Sequence, residues 1–163
     1  MIQIPYFDTL TPLTTMRKIL IFLLLFPSIL LAQDFYLCTH VVDGDTIIVN
    51  IDGKKERVRL IGVDTPETKH PNKPVEYFGR EASAFTKLMV EGKKVRLEYD
   101  WQKRDKYGRL LAYVYLEDGT FLNAEIIKQG YGFAYTRFPF KFLDEFRQYE
   151  RETRNNNKGL WRK

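Results

Sequence analysis

The sequence predicts an α+β domain: a five-stranded β-barrel carrying three α-helices. Three observations carry this. Short segments rich in β-branched and aromatic residues recur between turn residues. Two of them are joined through Asp52-Gly53, a strong two-residue hairpin signal. Apolar residues switch to helical spacing in one segment before the fourth strand and in two after the fifth.

In chain order, Phe35 to Val42 and Thr46 to Ile51 read as the first two strands, and "RVRLI", Arg57 to Ile61, as the third. Val95 to Tyr99 and Leu110 to Leu116 come next as the fourth and fifth, with "DKYGR", Asp105 to Arg109, as the turn between them. In "EYFGREASAFTKLMVEG", Phe78, Ala82, Phe85 and Met89 make an apolar stripe; Glu81, Lys87 and Glu91 lie off it and Gly92 ends it. In "LNAEIIKQG", Asn123 is the expected N-cap and Gly130 the stop, with Leu122 and Ile127 placed for a hydrophobic staple. Phe142, Phe146 and Tyr149 stripe the last helix, "NNNKGLW" stops it, and Trp161 is expected to fold back. These aromatics read as core rather than as a binding platform. A helix between the third and fourth of five short strands points to an OB-fold. That fold often binds nucleic acid or sugars, but it does not assign a function.

The 163 residues allow one domain plus an N-terminal extension. Met16-Arg17-Lys18 precedes an apolar run, Ile19 to Ala32, in the pattern of a secretory signal. Pro27 and Ser28 interrupt the run, which is shorter than the ~20 residues a spanning helix needs. Cleavage after Ala32 is expected, although Leu30 stands where a small residue is usual. An uncleaved membrane anchor and a buried core helix are the alternatives. Residues 1–32 are thus read as N-terminal extension and signal, with translation starting at Met16 as a hypothesis. Residues 33–163 are read as the domain, secreted or periplasmic and monomeric, touching a membrane only if the signal persists.

The chain has 26 basic and 21 acidic residues, a net charge of +5. Removing Arg17, Lys18 and Asp8 leaves 24 against 20, so the basic character belongs to the domain. It favours an anionic partner without identifying one. Cys38 is the one cysteine, so no intrachain disulfide can form. With only His40 and His70 beside it, the soft ligands of a structural zinc site are missing. Any metal is expected to be a hard cation held by oxygen.

The candidate chemistry sits in "VVDGDTIIV" and "RLIGVDTPETKH". Taken singly, Asp43, Asp45, Asp64, Thr65 and Glu67 are ordinary turn residues. The Asp52-Gly53 hairpin, however, lets Asp45 and the Asp64–Glu67 turn meet. Carboxylates converging without histidine suit Ca²⁺. Arg59 and Asp64 are five residues apart, so a regular strand would set them on opposite faces. They can share a site only if the strand breaks, and a break at or after Gly62 is expected. An arginine beside a cation suits a phosphodiester, whose equatorial oxygens gain charge as water attacks. A nearby carboxylate can take the proton from that water. Pro66 is expected to stiffen the turn so that Asp64 and Glu67 face one cavity.

The segments "VDGDT", "RLIGVDTPETKHP", "GREASAFTK", "DKYGRLLAYVY", "NAEIIKQG" and "GLW" together resemble the staphylococcal nuclease family, from about His40 to Trp161. The resemblance implies a secreted Ca²⁺-dependent nuclease that hydrolyses phosphodiester bonds of DNA and RNA and leaves 3′-phosphate ends. It implies metal carboxylates at Asp45 and Asp64 and a metal-bound carbonyl at Thr65. It implies Glu67 as general base, with Arg59 and Arg109 clamping the scissile phosphate. Asp43 matches an acidic position beside the metal, reached through water. Lys106 and Tyr107 would contact a nucleotide's far phosphate, and Tyr135 would lie along a base. Two departures fall at the substrate rim. Arg137 stands where the family usually has tyrosine, and "GYGFAY" and "DWQKRDKYGR" are each one residue shorter than in the best-known member. They bear on base stacking and nucleotide preference. The alternative from another class is a non-catalytic OB-fold nucleic-acid-binding protein, free to lose any of Arg59, Asp45, Asp64, Glu67 and Arg109. A membrane-tethered interaction protein would result if Ala32 is not a cleavage site.

Overall fold

Asp52 and Gly53 take positive φ angles, 51° and 82°, and close a two-residue turn between Ile51 and Lys54. That hairpin sets the register of the second and third strands. The structure is a computed structural model and describes residues 34–68 and 74–162. The signal-peptide reading and the Lys69-His70 end of the proline turn lie outside the described residues.

Strands β1 (Phe35–Asp43), β2 (Thr46–Ile51) and β3 (Lys54–Leu60) run antiparallel in sequence. After a short β4 (Val63–Asp64) comes helix α1 (Gly79–Val90), then β5 (Lys94–Glu98) and β6 (Leu110–Leu116). Helix α2 (Leu122–Lys128), β7 (Phe133–Ala134) and helix α3 (Leu143–Asn155) complete the order before a 3₁₀ turn, Gly159–Trp161. The barrel closes in the order β1-β2-β3-β6-β5, and β5 pairs back onto β1. The pairing of β3 with β6 is parallel and the others are antiparallel. This is the expected α+β architecture: a closed five-stranded barrel and three helices among the described residues. The strands alternate inward apolar residues with outward polar ones. Ile47, Val49, Val58, Leu60, Val95, Ala112 and Val114 are buried inside, where α2 and Phe146 of α3 cap them. Cys38 belongs to this core.

Two short strands went unread in the sequence. Two-residue runs such as β4 and β7 carry no period of their own. They form because Val63 pairs with Ala134 and Asp64 with Phe133 across the chain. The third strand ends at Leu60, just before the expected break, and Gly62 makes the turn with φ +74°. A side chain there would be strained by the backbone and would also strike the Phe140 ring, 2.6 Å from a Cβ. Trp161 folds back as expected, edge-on to Phe133 at 5.3 Å under the Arg154 guanidinium.

Asn123 is not a helix cap. Helix α2 starts one residue earlier, at Leu122, so Leu122 is inside the helix and no staple forms around Asn123. The buried Asn123 amide instead joins three segments. Its Oδ1 accepts the Val114 N–H (2.9 Å), and its Nδ2 donates to Ile61 O (2.9 Å) and Ala112 O (3.3 Å). Tertiary need has overridden the local capping preference. This amide ties the Ile61-Gly62 turn to β6. Each buried group left unpaired costs ~1–3 kcal/mol, so Asn123→Ala is expected to lower stability by about 3 kcal/mol or more in urea unfolding. A loss under about 1 kcal/mol would show that water replaces the amide.

Candidate active site

Strand pairing assembles the site. Thr46 pairs with Arg59 across β2–β3, and the Leu60 N–H donates to Asp45 O at 2.9 Å. Asp45 is thereby set beside Arg59. Arg59 also pairs with Leu111 across β3–β6. Arg109 stands two residues before Leu111, on the same side by strand alternation.

The break at Ile61-Gly62 brings Asp64 back to Arg59. Arg59 Nη2 lies 3.1 Å from Asp64 Oδ1 and 3.0 Å from Asp45 Oδ2. Its Nη1 donates to Leu60 O (3.0 Å) and Val63 O (2.5 Å), so the turn's own carbonyls hold the guanidinium in place. Asp45 is buried and also accepts the Thr46 hydroxyl (2.9 Å) and the Thr65 N–H (3.1 Å). Burial pushes the Asp64 carboxyl above the usual range, opposed by Arg59 and reinforced by Asp45 and Glu76.

Beyond Thr65 the chain docks onto a different aspartate. Asp43 accepts the Gly44 N–H (2.9 Å), the Thr68 hydroxyl (2.9 Å) and the Thr68 N–H (3.3 Å). Burial raises Asp43 above the usual carboxylate range, and a hydrogen bond with the Glu67 carboxyl pushes the same way. Glu67 is fixed through its backbone by Glu76: its N–H donates to Glu76 Oε2, and its carbonyl accepts the Glu76 N–H, both at 3.0 Å. The Glu67 carboxyl thus shares a hydrogen bond with Asp43, while Asp64 pairs with Arg59. The first half of the turn is pinned to Asp45 and the second half to Asp43, on either side of Gly44. Gly44 has no room for a Cβ, which would lie 2.7 Å from the Thr65 hydroxyl. Its carbonyl accepts the buried Thr86 hydroxyl (2.6 Å).

A cleft of about 470 Å³ opens along Arg59, Asp64 and Arg109. Lys106, Tyr107 and Tyr135 also line it. Tyr135 is placed by the same glycine turn, because its N–H donates to Gly62 O at 2.9 Å. The cleft thus gathers six of the nine site residues expected from the sequence. Asp45 and Thr65 are buried, Asp45 against Arg59 of the cleft wall, and Glu67 shares a hydrogen bond with Asp43.

Arg109 is aimed by a residue that sequence reading took only as a turn former. Asp105 Oδ2 accepts Arg109 Nε (2.6 Å), and Asp105 Oδ1 accepts the Arg109 N–H (3.0 Å) and the Tyr107 N–H (2.9 Å). Burial pushes Asp105 up, but these bonds outweigh it and hold the carboxyl below its usual range. The signal was present in the spacing: an Asp ahead of a Gly turn accepts amides two residues on.

The turn is also moored to β3. Arg104 donates to Gly108 O (2.7 Å) and to Glu56 Oε2 (2.9 Å). Hydrogen bonds from Arg104 and Lys54 hold Glu56 at about 2, against an ordinary 4.5. A depressed carboxyl stabilises the fold above its unfolded value and loses that contribution as pH falls through the folded one. In urea melts, wild type is expected to exceed Glu56→Gln above pH 4.5, and the gap to close towards pH 2. A gap independent of pH would show that this pair does not moor the turn.

The donor set suits a hard cation. Asp45 Oδ2 and Asp64 Oδ1 both reach the Arg59 guanidinium, and the Thr65 N–H donates to Asp45. Among the described residues no three His, Cys, Asp or Glu side chains form a metal cage. Such a site takes its remaining ligands from carbonyls, water or substrate, as oxygen-liganded cations do.

The family described as "Staphylococcal nuclease homologue" matches residues 57–163. The thermonuclease of Staphylococcus hyicus is 46% identical over 130 residues, 79% of this chain and 76% of its own. That of Staphylococcus intermedius is 48% identical over 129 residues, 77% and 75% of the two chains. The chain belongs to the staphylococcal nuclease family. It is accordingly a nuclease, and membership implies a metal cofactor. The Bacillus subtilis endonuclease YncB is 46% identical over 125 residues, but these make up only 59% of that protein. As a staphylococcal nuclease homologue, the chain carries Arg59, Arg109, Asp45, Asp64 and Glu67 together, the set a non-catalytic binder would be free to lose. The rim differs, with Arg137 over the Tyr135 ring at 5.9 Å. Among the described residues no helix is long and apolar enough to cross a membrane.

Proposed function

We propose that this protein is a secreted, monomeric, Ca²⁺-dependent nuclease that hydrolyses phosphodiester bonds of DNA and RNA and leaves 3′-phosphate ends. The observation that carries the reading is the convergence of Asp45 and Asp64 on the Arg59 guanidinium, in the wall of a cleft shared with Arg109. Asp45, Asp64 and the Thr65 carbonyl would hold the cation. When bound, the cation supplies Lewis-acid stabilisation of the charge gained by the phosphate oxygens.

The chain's own residues do the rest. Arg109, oriented by Asp105, donates to the equatorial oxygens of the phosphate, and Arg59 adds its charge from the other strand. Both cations are fixed before substrate arrives, so little reorganisation is needed in the transition state. Glu67 takes a proton from the attacking water. Lys106 and Tyr107 hold the far phosphate of the nucleotide, and Tyr135 lies along its base. An N-terminal signal ending at Ala32 would deliver the domain outside the cell.

End-group analysis tests the chemistry. Single-stranded DNA and RNA oligonucleotides are digested in Ca²⁺, and the fragments are treated with a phosphatase that removes terminal phosphate. Fragments whose 3′ ends carry phosphate, from both nucleic acids, are expected. 5′-phosphate ends would overturn the assigned direction of attack.

A further inference from the structure

The cleft holds more aromatic surface than one base requires. Trp101 is 69% exposed and Phe138 62% exposed, and both line the cleft with Tyr135. Neither has a part in the mechanism above. Both sit on supported backbone. The Trp101 indole N–H donates to Pro139 O at 3.1 Å. Its neighbour Asp100 accepts the Tyr113 hydroxyl (2.5 Å) and the Lys141 N–H (3.0 Å), and so ties the Trp101 segment to the Phe138 segment. Asp100 also accepts the Trp101 N–H at 2.8 Å. The Phe138 ring lies 6.1 Å from the Tyr135 ring, tilted by 43°. Cations flank the row: Arg137 lies over Tyr135, and Lys106 lies over Tyr107 at 5.0 Å. Tyr113 and Phe146, by contrast, are buried in the core. Trp101, Phe138 and Tyr107, which is 72% exposed, stand in water beside the arginines of the site.

We propose that Trp101 and Phe138 form a second stacking position, for the nucleobase next to the one at Tyr135. The cleft then grips two consecutive nucleotides of one strand. This rests on the reading that the cleft binds nucleic acid. Rings fixed beside a cationic groove stack successive bases without regard to sequence, because every base presents a π-face. A paired base hides its face in the duplex, so this position accepts only unpaired nucleotides. Asp100 does not oppose the strand's charge freely, because its carboxylate is engaged by three donors.

Two measurements on the full chain test this. In chelator, a ten-residue oligothymidylate is titrated while tryptophan fluorescence is monitored. Quenching is expected in wild type and is expected to be lost in Trp101→Phe. Trp161, packed against Phe133, remains as the internal reference. In Ca²⁺, KM is compared for that oligonucleotide and for a nitrophenyl ester of thymidine 5′-phosphate, which offers one base only. Trp101→Ala is expected to raise KM for the oligonucleotide about tenfold more than for the ester, and Trp101→Phe to restore most of the difference. No quenching in wild type, undiminished quenching in Trp101→Phe, or equal changes in the two KM values would overturn the proposal. If wild type hydrolyses neither substrate, the nuclease reading fails, and the fluorescence titration still decides the stacking.

Discussion

Glu67→Ser is expected to lower turnover by ~10²–10⁴, the usual contribution of a positioned general base, while nucleic-acid affinity changes little. The geometry makes this a clean substitution. Both polar backbone groups of Glu67 are held by Glu76, so the turn keeps its shape without the side chain. The lost carboxyl also relieves Asp43, whose burial is already costly for its charge. Stability should therefore hold or rise slightly, and thermal unfolding checks this alongside single-turnover kinetics. A variant that folds and binds but does not turn over separates proton transfer from phosphate binding. Ordinary turnover in Glu67→Ser would remove Glu67 from the mechanism and direct attention to Asp43, its hydrogen-bonded neighbour.

Arg109→Ala should cost ~10² or more in kcat, the size of effect seen when one preorganised transition-state donor is removed. KM should move much less, since a contact that strengthens in the transition state acts on kcat. The substitution also leaves Asp105 without its strongest partner, inside a turn still moored by Arg104 to Glu56 and Gly108. The turn is thus expected to persist, and the loss to be electrostatic. A rise in KM with kcat preserved would make Arg109 a ground-state phosphate contact instead.

The barrel was legible because its strands are long enough to show alternation and its first hairpin carries an explicit turn signal. The strand break was legible from the conflict between Arg59 and Asp64, which alternation alone would set apart. What the sequence could not show are contacts between distant segments. Asn123 looks like a helix cap because its type favours caps, yet its partners lie in β6 and in the Gly62 turn. Strands β4 and β7 exist only through each other. The proline turn was read as one unit, but Asp43 and Asp45 divide it, and that division depends on how Gly44 packs against Thr65. Trp101 and Phe138 passed unnoticed, because nothing local marks an aromatic residue that will stay in water.

Hydrolysis should depend on a cation held by the carboxylates at Arg59. The most direct measurement tracks cleavage of single-stranded DNA by the purified protein, first in Ca²⁺ and then after chelator is added. Cleavage that starts with Ca²⁺ and stops with chelator is the expected result. Tight binding of the DNA with no cleavage in Ca²⁺ would contradict it and leave a nucleic-acid-binding barrel in place of an enzyme.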